Sequence, residues 1–155
     1  MRKYFAGLVV AALLAAPQAK AEEGSTEQAA PAASEPYQPS LSDIMARQQM
    51  RHIKLWFAGR AHNWPLVDYE VDRLKGGFDD VERLLGGDTV EKAVGGAIAA
   101  LEKAIEAKDR HAFTRAFDQL TAGCNGCHQT LDHAYIKIQR PSWYPYTDQS
   151  FLPEK

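Results

Sequence analysis

Asp109 to Arg140, DRHAFTRAFDQLTAGCNGCHQTLDHAYIKIQR, holds both cysteines of the chain and an apolar series at helical spacing. Phe113, Phe117, Leu120, Cys124, Cys127, Leu131, Tyr135 and Ile138 recur at intervals of three or four, the signature of one buried helix stripe. Asp109 opens the segment, and Pro141 stops it because the residue before a proline is pushed out of the helical region. The spacing predicts one long helix running to about Ile138. On that helix Cys124, Cys127 and His128 share a sector of roughly 100°, so two sulfurs and one imidazole leave the same face.

Cys124-Asn125-Gly126-Cys127-His128 is the spacing that holds a haem covalently. Each thiol adds to one vinyl group of the porphyrin, and the adjacent imidazole reaches the iron. Other chemistries fit less well. A redox dithiol wants a βαβ surround that this helical, glycine-flanked context does not offer. A zinc site needs about four ligands, and only His133 is close in sequence. Cysteines three apart on one helix make a poor disulfide. One haem c, bound through Cys124 and Cys127 with His128 as an axial iron ligand, is the expectation.

Three more helices are expected upstream. Helix A runs from about Asp43, with Ser42 as N-cap, to Gly59 or His62, and carries Met45, Gln48, His52, Leu55 and Trp56 on its stripe. Helix B starts at Pro65, carries Leu66, Tyr69, Leu74, Phe78, Val81 and Leu85, and stops at Gly86-Gly87. Its interior pair Gly76-Gly77 predicts a kink or a close neighbour. Helix C opens after Asp88 or Thr89, and Gly95, Gly96, Ala97, Ala99 and Ala100 would admit a helix at short range. Short turns between helices of similar length favour antiparallel neighbours, so the fold class is all-α: an antiparallel up-down-up-down four-helix bundle with C-x-x-C-H on the last helix.

The flanks have other characters. Residues 1–21 read as a secretory signal: Arg2 and Lys3, then an apolar run too short to span a bilayer, then Ala19-Lys20-Ala21 as a cleavage site. Residues 22–40 are rich in Ala, Pro, Ser and Glu and read as a flexible linker. The haem domain is placed at 41–140, and 141–155, with Trp143, Tyr144, Tyr146 and Phe151 among prolines, as a tail packing back on it. Cleavage after Ala21 removes Arg2, Lys3 and Lys20 and no acid, taking the net charge from −2 to −5. A mildly acidic product argues against nucleic acid and anionic membrane as partners. A bacterial periplasm, where c-type haem is attached, is the expected location, with no membrane span in the mature form.

With these residues in hand, the chain from Leu41 to about Gln139 resembles the cytochrome c prime superfamily of four-helix-bundle c-type cytochromes, including its low-spin relatives. The resemblance implies thioether bonds at Cys124 and Cys127 and a proximal His128. It also implies a sixth iron position served from the first helix, by a Met in electron carriers or by an apolar side chain that leaves the iron open to NO or CO. It further implies dimers formed through the first two helices.

Helix register bears on that sixth position. If the last helix, which carries C-x-x-C-H, ends near Ile138, His128 lies about ten residues from its end, and the facing residue on helix A is His52 or Leu55. Met45 then sits two turns too near the end, so His52 is the expected distal ligand and Met45 the alternative. His62, His111 and His133 are expected at the surface. Arg47, Arg51, Lys54, Arg60 and Arg115 form a solvated face, one or two of them paired with haem propionates. No Ser-His-Asp order, phosphate loop or paired-carboxylate pattern points to an enzyme. The expected function is a periplasmic electron carrier working with redox partner proteins. The alternative is a gas-binding haem protein with a distal pocket of Leu55, Trp56 and Phe57.

Overall fold

The computed structural model describes residues 37–145 and 148–154. The expected signal and most of the linker, and Tyr146 of the tail, lie outside the described residues. Among the described residues there are four helices and no strand: α1 (Leu41–Arg60), α2 (Trp64–Leu85), α3 (Thr89–Glu106) and α4 (Arg110–Thr130). Each meets two others, α1 with α2 and α4, and α3 with α2 and α4, which closes a ring around one core.

Local chemistry sets the helix ends. Ser40, not Ser42, caps α1: its hydroxyl accepts from the Asp43 amide while the Asp43 carboxylate accepts from the Ser40 amide. That capping box satisfies two donors that a helix start leaves unpaired, and it moves the start two residues upstream. Asn63 caps α2 by accepting from the Leu66 amide, with Pro65 in the first turn. Gly86 and Gly87, at φ of 75° and 85°, end α2 in a backbone region that costs other residues more. Asp109 caps α4 through the amides of His111 and Ala112.

The core is aliphatic and aromatic. Leu55, Val67, Val81, Leu101, Phe117 and Leu120 are fully buried, and Trp56 stacks among Phe113 and Phe117. Burying each such side chain contributes about 1.5–3 kcal/mol. The helical stripes drawn from the sequence depart from this core at Tyr69, Leu85 and Tyr135, which are exposed. Gly77 is the close-approach position of α2: Gln48 and Arg51 of α1 occupy the space a Cβ would need, and the helix continues unbroken. Between α3 and α4 the tight contact belongs to Gly123, set against the Ala93 backbone carbonyl. Gly95 and Gly96 meet nothing across a helix interface.

Three pairings relate α1 to α4. His52 meets Thr121, Trp56 meets Phe117, and Gly59 lies against the Phe113 ring. Numbers rise along α1 as they fall along α4, turn for turn.

The largest departure from the sequence pattern is the end of α4. The helix stops at Thr130, not near Ile138. Asp132 takes a left-handed φ of 61°, the His133 amide donates back to the His128 carbonyl, and the chain reverses. Residues 134–140 then run back along α4 as an irregular strap. Ile138 is tied to Asn125, and Arg140 forms a two-oxygen ion pair with Asp118 while lying over the Trp56 ring. Beyond the strap, Tyr144 and Phe151 pack on Phe57, and Asn63 donates to the Leu152 carbonyl. Trp143 stays exposed.

Candidate functional site

Cys124, Cys127 and His128 border one cavity of about 540 Å³ at the end of the bundle where α1 begins and α4 ends. Every helix contributes a wall. Leu41, Met45, Gln48, Gln49 and His52 come from α1; Leu74, Phe78 and Val81 from α2; Val90 and Val94 from α3; Leu120 joins the motif on α4. The turn after α4 and the strap supply the last side, the turn through Leu131 and His133 and the strap through Ile136 and Ile138. The lining is overwhelmingly apolar, and the volume lies in the range of small-molecule and cofactor sites.

The two thiols are not bridged to each other. Burial pushes the Cys124 thiol up to about 12, with Cys127 adding to the effect, and burial raises Cys127 as well. A dithiol redox centre depends on a thiol whose pKa is lowered toward neutrality, so this environment works against that chemistry.

His128 is held from behind. Its Nδ1 lies 2.8 Å from the Ile136 carbonyl oxygen. A carbonyl can only accept, so Nδ1 donates there, and Nε2 is the ring nitrogen left to bind a metal. Metal-bound histidines characteristically make this outer hydrogen bond.

His52 is buried on α1, its ring tilted against Phe117, with Nε2 2.9 Å from the Thr121 hydroxyl. The Thr121 hydroxyl itself donates to the Phe117 carbonyl, so it accepts here and His52 Nε2 carries the proton. Burial lowers its pKa from the ordinary 6.5 to about 4, which keeps the ring neutral. His52 is level with Thr121, two turns from His128, a separation of roughly 10 Å along the helix axis. Stepping back the same two turns on α1 arrives at Met45, which borders the cavity level with His128. The expected register fails because it was counted from a helix end near Ile138 that the strap replaces.

The remaining expectations divide. Leu55 and Trp56 are buried in the core and Phe57 meets the tail, so none of the three lines the cavity. His62 and His111 lie away from it, whereas His133 is exposed yet sits on its rim. None of Arg47, Arg51, Lys54, Arg60 and Arg115 borders it. Arg47 and Arg51 line a separate polar groove between α1 and α2. Sequence reasoning missed Gln49, Asn125 and the strap isoleucines. Ile136-Lys137-Ile138-Gln139 does carry a signal, since its apolar residues alternate with period two, as in extended chain.

Among the described residues, no three His, Cys, Asp or Glu side chains are grouped to hold a bare metal ion. A porphyrin brings four nitrogen ligands of its own and asks the protein for only one or two. Comparison with protein-family models, with curated proteins and with solved structures found no match.

Proposed function

We propose that the chain is a periplasmic monohaem c-type cytochrome that carries electrons, its haem c held through Cys124 and Cys127 with His128 as proximal ligand. One observation carries this reading: both thiols and an imidazole with a free Nε2 border a single apolar cavity enclosed by all four helices. The pairings of α1 with α4 and the short connections between helices support an up-down-up-down antiparallel bundle as its frame. Export rests on residues 1–21 of the sequence alone.

The residues present fit the group. A flat, largely apolar macrocycle is matched by the leucine, valine and phenylalanine walls, and the two thiols stand one helical turn apart beside the axial imidazole. When bound there, a haem supplies a one-electron couple. The chain's part is to fix the axial imidazole through Ile136, to exclude water with Leu74, Phe78, Val81 and Val94, and to hold a rigid frame that moves little when charge changes. The α1–α4 register favours Met45 over His52 as the second axial ligand, with His52 a buried neighbour bonded to Thr121.

The test is the visible spectrum of the protein exported from a host that attaches c-type haem. It is recorded oxidised, reduced, and reduced under CO. A covalent haem with a sharp reduced α band indifferent to CO is expected, and Cys124→Ala with Cys127→Ala should abolish its covalent attachment. A broad spectrum shifted by CO would replace the electron carrier with the gas-binding alternative. Wild-type protein without covalent haem would remove both.

A further inference from the structure

We infer that Asn125, between the two cysteines, is a positioning residue for His128 and acts through the strap. The inference deepens the cytochrome reading and rests on it. Asn125 makes two reciprocal hydrogen bonds with one residue of the strap: its Nδ2 donates to the Ile138 carbonyl and its Oδ1 accepts from the Ile138 amide, each at 2.8 Å. A side-chain amide paired in this way with a backbone donor and acceptor fixes that residue's position and orientation together. Two residues earlier, the Ile136 carbonyl accepts from His128 Nδ1, also at 2.8 Å. Asn125 and His128 are three apart on α4, and Ile138 and Ile136 are two apart on the strap, so the contacts form one closed loop. Moving Ile138 therefore moves the acceptor that orients the imidazole. Among the described residues, the Ile136 carbonyl is the hydrogen-bond partner of the His128 ring, and it orients that ring.

The consequence is a tuned imidazole. Donation from Nδ1–H to a carbonyl raises the electron density on Nε2, which stabilises an oxidised metal more than a reduced one. Leucine at position 125 keeps the branching at Cγ and removes both bonds to Ile138. The strap then keeps its distant anchor at Arg140 and Asp118 and the bond from the Ile136 amide to the His133 carbonyl, but loses the paired contact that sets its register against α4.

The experiment uses the full chain exported with haem attachment, as wild type, Asn125→Leu, Asn125→Gln and Arg140→Gln. Three quantities are measured: covalent haem per chain, the one-electron midpoint potential, and hydrogen exchange at the Ile138 amide. Asn125→Leu should keep wild-type haem content, speed Ile138 exchange at least tenfold, and shift the redox equilibrium about tenfold toward the reduced form, which is about 59 mV upward for one electron. Arg140→Gln loosens the strap at its far end and should leave both readouts nearer wild type. Asn125→Gln keeps the amide one methylene out of place, so it should fall with Leu in exchange and potential. Faster exchange with an unchanged potential would overturn the inference, because Asn125 would then be merely structural. Unchanged exchange would overturn it too. Wild-type chain without haem would sink the cytochrome reading, whereas Ile138 exchange in that same chain would still report whether Asn125 holds the strap.

Discussion

Met45 and His52 occupy the same face of α1, two turns apart, and only one is level with His128. A thioether sulfur is an adequate axial ligand and raises the potential of a haem iron. Met45→Ala should therefore convert a six-coordinate low-spin spectrum into a high-spin, CO-reactive one, while His52→Ala should leave it low-spin. The opposite pattern would return the ligand role to His52. His52 has a second consequence, because its folded pKa of about 4 lies below the ordinary 6.5. The unfolded chain binds its proton first as pH falls, so the stability contributed by the neutral buried ring is complete above pH 6.5. It is lost between 6.5 and 4, and amounts to about 3 kcal/mol over that window. Urea unfolding at pH 7 and pH 5 should show that loss in the wild type. In His52→Gln the difference between the two pH values should shrink by more than 1 kcal/mol.

At the scale of elements, a glycine of α4 and a glycine of α3 have opposite surroundings. Gly123 of α4 sits against the Ala93 carbonyl, a backbone atom that cannot move without α3 moving. Gly123→Ala should cost about 1–3 kcal/mol as the helices are forced apart. Gly96 is exposed in mid-helix with nothing near an added Cβ, so Gly96→Ala should stabilise by about 0.5–1 kcal/mol. Urea midpoints of the two variants moving in the same direction would contradict this account. The same interface shows what sequence could and could not supply. Apolar periodicity marked Leu55, Leu74, Val81 and Phe117 as core, because a helix buries whatever recurs on one face. It could not find the end of α4, since Leu131, Tyr135 and Ile138 happen to continue the helical spacing through a reversal made by Asp132. Neither Gly nor Pro marks that turn. The distal register failed with it, because residue opposite residue is counted from where helices end. Cys124, Cys127 and His128 were legible because the motif is local, whereas Asn125 and Ile138 become partners only when the chain turns back.

At the scale of the whole molecule, the chain beyond α4 does two separate jobs at opposite ends of the α1–α4 seam. The strap lines the cavity near Met45 and His128, while Tyr144 and Phe151 cover Phe57, twelve residues further along α1 and so roughly 18 Å away. The two parts are joined at Arg140, which is anchored independently to Asp118 and Trp56. A chain ended after Arg140 should therefore keep the strap and an unchanged haem spectrum and midpoint potential. It should still lose stability, because Phe57 returns to water and Asn63 loses its bond to the Leu152 carbonyl. Partial burial of two aromatic side chains puts that loss at about 2 kcal/mol. Urea unfolding followed by tryptophan fluorescence measures the loss, and absorbance of the same samples measures the haem environment. A truncated protein with wild-type stability would mean the tail contacts are too loose to matter. One with an altered spectrum would mean the two ends are coupled through the helices between them, such as α1 with its buried residues from Gln48 to Gly59.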